Sequence, residues 1–558
     1  MKKLLSIIML SLGCAATGAA QTLSNGITLP DQWPPHYPYP TERKEMPVPY
    51  LNHKPAAIPI NTGRQLFVDS FLIAATDMKT VFHTPNFYSG NPVLEPDKEW
   101  ENTIEGAPYA APFSDGIWYD EKEQIFKMWY MAGAGMLHKG DKQTFYTCYA
   151  ESKDGKHWNK ANQKLIPGTN IVDSCNRDAA TVWLDRNETD PQKRWKLFVV
   201  ERRPTDRRWQ IILKYSADGR TWSRGVAQSG DMYDRTTAFY NPLTNKWALS
   251  LRGGTPVSSR SRFYMEHSDP EMLVSLAHRI RKDADDKFMT FWFAPDDKEL
   301  RHERFPNVDP GIYNFDVMPY ESIMLGMYAA WSGPENDVCA KEGIQKRNVV
   351  SLGYSRDGFH FSRPTHQPFM NVNEKPGAWN WGNMQSIMGV PLIVGDSLYF
   401  YSSGRRLNKI MWDSYTSTGL ATLRRDGFVS MRADNKVRTL ITEPVVFDGK
   451  YLFVNADVKA KNAALAVEVL DKDGKILPGF SRRDCRVLRN ADKTKQVITW
   501  KNKTDLQSLA GMPVRFKFYL QSGDLFAFWV SPWETGESRG YTAGGGPGLS
   551  AKGIDVPK

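Results

Sequence analysis

Cysteine is scarce in this chain, with five in 558 residues. Cys14 lies near the start, and Cys148, Cys175, Cys339 and Cys485 are too dispersed for a disulfide scaffold, a zinc knuckle or a redox pair. They read as isolated buried thiols, with a single bridge left open in an oxidising compartment. The ten histidines are scattered and no pair has metal-ligand spacing, so no transition-metal site is expected. A serine nucleophile elbow, a phosphate loop and a dinucleotide fingerprint are all missing. No apolar run reaches the roughly 20 residues of a membrane helix, so no membrane span is expected. The net charge of +10 is spread along the chain and not gathered in blocks. With no binding motif either, nucleic acid is not an expected partner.

The start of the chain has the layout of an export leader. A basic end, Lys2-Lys3, precedes the apolar stretch Leu4 to Leu10 and a small-residue run ending Ala19-Ala20-Gln21. Residues 1–20 are read as a signal peptide cut after Ala20, which places the mature protein in the periplasm or outside the cell. A lipoprotein reading through Cys14 is weaker, because Ser11-Leu12-Gly13 lacks leucine three positions ahead. Residues 21–63, with Pro34-Pro35-His36-Tyr37-Pro38-Tyr39-Pro40, should run extended over the surface.

Beyond residue 64 one theme repeats: an apolar strand, a polar turn, a second apolar strand and a box Ser-x-Asp-Gly-x-x-aromatic. The boxes are Ser152 to Trp158, Ser216 to Trp222 and Ser355 to Phe361, their serines 64 and 139 residues apart. The second gap is about twice the first, so a degenerate copy is expected between them. Ser268-Asp269-Pro270 lies near the right place, with a helical insertion after it at Glu271 to Asp286. Each box should turn tightly at Asp-Gly and anchor its ring between neighbouring sheets, a structural role. Several strands per unit at this period are the signature of propeller blades. Hairpins such as Ile117 to Tyr130, Val182 to Phe198 and Pro391 to Tyr401 bring the count to five. The expected fold is all-β: a five-bladed β-propeller over residues 64–435, followed by a β-sandwich over 436–535, where strict alternation sets in. Residues 536–558, with Gly544-Gly545-Gly546, read as a flexible tail.

In a propeller, residues at equivalent places in successive blades converge on a funnel. Aligning the hairpins matches Val182 with Ala238, and four residues before each stand Asp178 and Asp234, both beside an arginine, Arg177 or Arg235. Paired carboxyl groups are what glycoside cleavage requires, one to protonate the leaving oxygen and one to act as base or nucleophile. Salt bridges on the blade rim are the competing reading of the same residues. The first blade should add a third acid, Glu105, preferred to Asp115 because Asp115-Gly116 looks like a turn. Asp316 in the fourth blade and Glu374 in the fifth are expected to meet substrate, and Trp381 to stack a sugar ring. No cofactor follows from these residues, and a structural calcium ion in the funnel stays open.

The layout resembles the five-bladed propeller glycoside hydrolases of families 32 and 43. Arg177-Asp178-Ala179 is similar to the Arg-Asp-Pro motif of the invertase-like enzymes, with alanine for proline. In those enzymes the aspartate stabilises the transition state. The stretch from Leu477 through Trp500 to Val514 resembles the sandwich that follows such propellers. The invertase nucleophile motif Asn-Asp-Pro-Asn and a Glu-Cys acid motif are missing, so those two roles do not transfer. The leading expectation from residues and layout together is an exported, exo-acting glycoside hydrolase on oligosaccharide or polysaccharide, in which Asp178, Asp234 and Glu105 share the roles of acid, base or nucleophile and transition-state support. A non-catalytic glycan-binding propeller and a glycoside phosphorylase are the alternatives.

Overall fold

The computed structural model describes residues 21–102, 107–134, 144–279, 288–387, 391–406 and 415–558. Residues 1–20, read above as a signal peptide, and Glu105 lie outside them.

The repeated units form a succession of antiparallel sheets, each read outward from its first strand. The first runs Pro108–Asp120, Ile125–Ala134, Thr144–Ser152, Ile171–Asp173, and the second Arg177–Leu184, Trp195–Arg202, Trp209–Ser216, Ala227–Gln228. The third is Thr237–Asn241, Lys246–Thr255, Ser258–His267, Thr290–Phe293, and the fourth Gly311–Glu321, Ile323–Gly333, Arg347–Ser355. Leu392–Val394, Ser397–Arg405 and Thr416–Arg424 complete the series. The opening strands Pro108–Asp120 and Gly311–Glu321 are buried throughout, including the polar residues Ser114, Asp115, Asn314 and Asp316 that interrupt their apolar runs.

These sheets bond to one another around a ring, mostly through their opening strands. Trp118 Nε1 donates to the Val182 carbonyl at 2.8 Å, the Ala238 amide donates to Thr181 Oγ1 at 3.1 Å, and Thr237 Oγ1 donates to the Phe315 carbonyl at 3.2 Å. The Met384 amide donates to the Asn348 carbonyl at 3.0 Å. Thr416 then pairs in parallel with Tyr109, which joins the last sheet to the first. A tryptophan ladder fills the spaces between sheets: the ring centroids of Trp118 and Trp183 lie 5.2 Å apart, and those of Trp183 and Trp247 5.8 Å. This succession of radial sheets is a propeller.

Each box reaches back to the preceding sheet. Gly155 lies under Tyr401, whose hydroxyl donates to its carbonyl at 2.6 Å. Trp129 Nε1 donates to the Gly219 carbonyl at 2.7 Å, and Trp292 Nε1 to that of Phe359 at 2.7 Å. The degenerate copy does the same by other means: Asp269 caps the helix Pro270–Leu276, and Glu271 on that helix accepts from Tyr215 of the second sheet at 3.0 Å. The remainder of that insertion, 280–287, lies outside the described residues. Gly219 has φ +75° and a methyl group there would come within 2.5 Å of Trp129. Gly219→Ala is therefore expected to cost about 1–3 kcal/mol, read as a lower chemical-denaturation midpoint at unchanged m-value.

Two further sheets pack face to face behind the ring. In one, Val514–Gln521 is flanked by Arg438–Thr442, Val445–Val446 and Ala464–Asp471; in the other, Gly523–Ser531 is flanked by Tyr451–Val458 and Val429–Ala433. Strict alternation along Val514–Gln521 turns Phe516 and Phe518 inward onto Phe528, with ring centroids 5.7 and 5.4 Å away.

Three boundaries differ from the sequence reading. Residues 64–82 do not open the propeller: Gln65–Leu66, Ile73–Thr76 and Lys79–Phe82 are edge strands of the two rear sheets, and only Asn86–Phe87 joins a propeller sheet, pairing with Thr416–Arg424. Val429–Ala433 also belongs to the rear sheets, so the propeller strands run from Asn86 to Arg424. The stretch expected to be a flexible tail is packed instead. Tyr541–Thr542 pairs with Tyr320 and Glu321, and Ser538, Thr542 and Asp555 are buried. Its glycines serve close approach and not mobility, because a methyl group on Gly546 would collide with the Ile393 carbonyl.

A buried ionic hub ties these parts together. Arg64 Nη1 donates to Asp426 at 2.9 Å, Arg64 Nε lies 3.5 Å from Glu321, and the guanidinium covers the Trp529 ring at 4.2 Å. Asn455 donates to Asp426 at 2.9 Å, Tyr320 donates to it at 2.7 Å, and Arg425 bridges Glu321 at 2.9 Å and Asp555 at 3.3 Å.

Candidate functional site

The opening strands of different sheets converge on a polar centre, and each contributes at a place where its regular pairing is interrupted. In Pro108–Asp120 the register shifts between Ala111 and Gly116, and Ser114 adopts φ 68°. This bulge turns Ser114 and Asp115 inward, a common device beside active sites. Asp115 is thus no solvent turn: it is buried and ion-paired with Arg177 of the second sheet. Arg177 also donates to Thr147 at 3.1 Å and to the Asp178 carbonyl at 2.7 Å, which fixes the start of its strand. That strand is irregular in turn, with a register shift between Arg177 and Ala180.

Arg235 is the hub of the centre. It has φ 59°, its amide donates to Asp178 Oδ1 at 2.9 Å, and its guanidinium lies 3.4 Å from the Phe113 ring centroid and donates to Ser386 at 3.3 Å. Ser386 is 3.1 Å from Ser114 Oγ, and Ser114 donates to Asp316 Oδ2 at 3.0 Å. Asn314 donates to the same Asp316 oxygen at 2.6 Å, while Asp316 Oδ1 is buried without a hydrogen-bond partner among the described residues. One side chain therefore draws the first, second, third, fourth and last sheets to a common point.

The three carboxyl groups at this centre differ in ionisation. Burial pushes Asp178 up, Arg235 draws it down and the charge on Asp234 adds to the rise, leaving it above the ordinary aspartate value. Burial acts on Asp234 as well, but Arg252 and Arg260 outweigh it and hold that carboxyl below the ordinary value. Arg252 is its direct ion-pair partner. Asp316 is pushed up to about 6 by burial, against the pull of Arg235. For Asp316 the native state holds its proton above the unfolded value of about 3.9, so stability should fall as pH rises from about 4 to about 6. The loss amounts to about 3 kcal/mol, and urea titrations across that window should show it in the parent protein but not in Asp316→Asn.

The structure brings together Arg177, Asp178, Asp234, Arg235 and Asp316 of the residues singled out from sequence. Glu105 lies outside the described residues. Glu374 is placed apart: it is exposed and ion-paired with Arg347 at 2.7 Å, a rim salt bridge and not a funnel group, since its turn carries it outward. Trp381 is half-buried in the turn that follows, bridged to Asn373. Its neighbour Trp379 is core packing, wedged against Gly404 and Gly419. The sequence reading weighs Asp115 and sets it aside for Glu105; residues missed altogether are Ser114, Arg252, Arg260, Lys346 and Ser386. The bulged Ser-Asp-Gly of the first sheet was the one available signal; the others stand on second and third strands or in loops, where hairpin register gives no hint.

Glu45, Asp296 and His366 form a cluster of metal-ligand type elsewhere. Arg363 pairs with Asp296 and Lys298 with Glu45, so the chain's own cations already occupy those oxygens.

No protein-family model matches the chain, and no curated protein matches it. Among solved structures, a fructofuranosidase from Schwanniomyces occidentalis complexed with fructose is 11% identical, covering 80% of this chain and 97% of its own at a TM-score of 0.36. A beta-1,2-mannobiose phosphorylase from Listeria innocua is 13% identical, covering 61% and 96% at a TM-score of 0.39. A glycosyl hydrolase from Bacteroides ovatus is 12% identical, covering 65% and 97% at a TM-score of 0.38. At these values no residue role or activity is transferred from them.

Proposed function

We propose that the chain is an exported glycoside hydrolase that removes terminal sugars from oligosaccharide or polysaccharide in the periplasm or outside the cell. The observation that carries this reading is the pair Asp178 and Asp234, brought together from successive sheets with their ionisation pushed in opposite directions. Groups separated in this way divide acid and base work between them at one pH. Asp178, which keeps its proton to higher pH, serves as the general acid that protonates the departing glycosidic oxygen. Asp234, held ionised by Arg252, serves as base toward water or as nucleophile at the anomeric carbon. Asp316, neutral below about pH 6, keeps a second negative charge from crowding the pair and offers its unpartnered Oδ1 to a sugar hydroxyl.

The leader-like first twenty residues support export, and the ring of sheets, which meets at a single polar centre, supports attack on chain ends. The test is product release from a panel of plant and microbial glycans, with and without inorganic phosphate. The proposal expects single sugars to be released at a rate independent of phosphate. Turnover that requires phosphate would make the chain a phosphorylase, and binding without release would make it a glycan-binding propeller; either result overturns hydrolysis.

A further inference from the structure

Among the described residues, the cations of the centre exceed what its carboxylates match. Arg177 is paired with Asp115 and Arg252 with Asp234. Arg235, Arg260 and Lys346 have no ion pair among the described residues, yet all three gather around Tyr313 of the fourth sheet. The Arg260 guanidinium lies 4.0 Å from the Tyr313 ring centroid, Lys346 Nζ 5.2 Å and the Arg235 guanidinium 5.4 Å. Lys346 also donates to the Tyr313 hydroxyl at 3.5 Å. Tyr313 itself is only 7% exposed. Arg235 Nε and Nη1 and Arg260 Nη1 are buried donors with no acceptor among the described residues. Charged donors left unmatched in a buried setting are costly, and contact with an aromatic face offsets only part of that cost. The cluster adjoins the catalytic pair, because Arg260 and Arg235 are among the charges that hold Asp234 ionised.

We infer that the sugar bound beside Asp178 and Asp234 carries a negatively charged substituent, a carboxylate or a sulfate ester, which lodges between Arg260, Lys346 and Arg235 beside Tyr313. This rests on the hydrolase reading and narrows its substrate to acidic glycans. A planar guanidinium suits either oxyanion through paired N–H donors, and the lysine adds a point charge. Neutral glycans would leave the same donors unpaired and bind more weakly.

The test is calorimetry on the mature Asp178→Asn protein, in which turnover is suppressed so that binding is read alone. The probes are mixed oligouronides with their carboxyl-reduced counterparts, mixed sulfated oligosaccharides with their desulfated counterparts, and inorganic phosphate. One acidic probe is expected to bind at least about tenfold more tightly than its neutral counterpart. Adding Arg260→Met or Lys346→Met should each remove about tenfold of that affinity, with binding of the neutral counterpart unchanged and the thermal midpoint no lower. The better of the two acidic probes identifies carboxylate or sulfate. Equal binding of acidic and neutral sugars, no binding of any acidic probe, or binding of phosphate alone would overturn the inference. Acidic binding by a protein that releases no product would leave this inference standing and remove hydrolysis; release from neutral glycans alone would do the reverse.

Discussion

Asparagine at position 178 or 234 is expected to lower turnover about 100- to 10,000-fold, the range that positioned acids and bases contribute. The two variants should fail differently. Asp178→Asn cannot deliver a proton to the leaving oxygen, so its deficit should shrink on aryl glycosides, whose leaving groups depart without one. Asp234→Asn lacks the ionised group that water or the anomeric carbon meets, so its deficit should persist whatever the leaving group. In both, KM should change far less than kcat, because the lost interaction is made in the transition state. Initial-rate kinetics on a natural oligosaccharide and an aryl glycoside of the same sugar check this. Full activity in both variants would assign the pair to structure alone.

The largest stability effect is expected at Arg64. Arg64→Met leaves Asp426 and Glu321 buried beside one fewer cation, and breaking such a group by removing one partner costs about 3–5 kcal/mol. Methionine retains much of the packing on Trp529, so the loss reports charge more than volume. The double variant Arg64→Met with Asp426→Asn should recover part of the deficit, since it removes the stranded anion as well. Urea unfolding of the three variants separates these outcomes. Because the hub joins Glu321 of the propeller, Asn455 of the rear sheets and Asp555 of the final stretch, its loss should also make unfolding less cooperative.

Much of the architecture is written in local patterns. The boxes announce themselves because Ser-x-Asp-Gly builds its turn from its own side chains, with Ser216 accepting from the Gly219 amide at 2.9 Å and Asp218 from that of Thr221 at 2.9 Å. A motif that closes on itself is readable from sequence. The nearness of Asp178 to Asp234 was legible for a related reason, since both stand a fixed distance before an apolar hairpin. What escaped was long-range. Residues 65–82 pair with strands some 350 to 460 positions later, and nothing in Gln65-Leu66 specifies Phe528 and Ala527 as partners. The final stretch misled because glycine serves both mobility and close packing, and only the neighbour at Ile393 decides between them. Asp115 misled in the same way: Asp-Gly marks a turn by habit, but here it marks a bulge inside a buried strand. Arg260 and Lys346 carry no signal of their own, since a lone cation in a strand or loop is ordinarily solvated.

The central claim is that carboxyl groups carried by separate sheets meet at one centre and ionise apart from one another. Difference infrared spectroscopy of the carboxyl band, parent minus Asp316→Asn, Asp178→Asn and Asp234→Asn in turn, tests it between about pH 3 and pH 8. The account predicts that Asp316 loses its proton near pH 6, Asp178 above the usual aspartate range and Asp234 below it. It also predicts that removing the charge at 234 lowers the titration of Asp178. Three carboxyl groups titrating together as ordinary exposed aspartates, each indifferent to loss of the others, would contradict it.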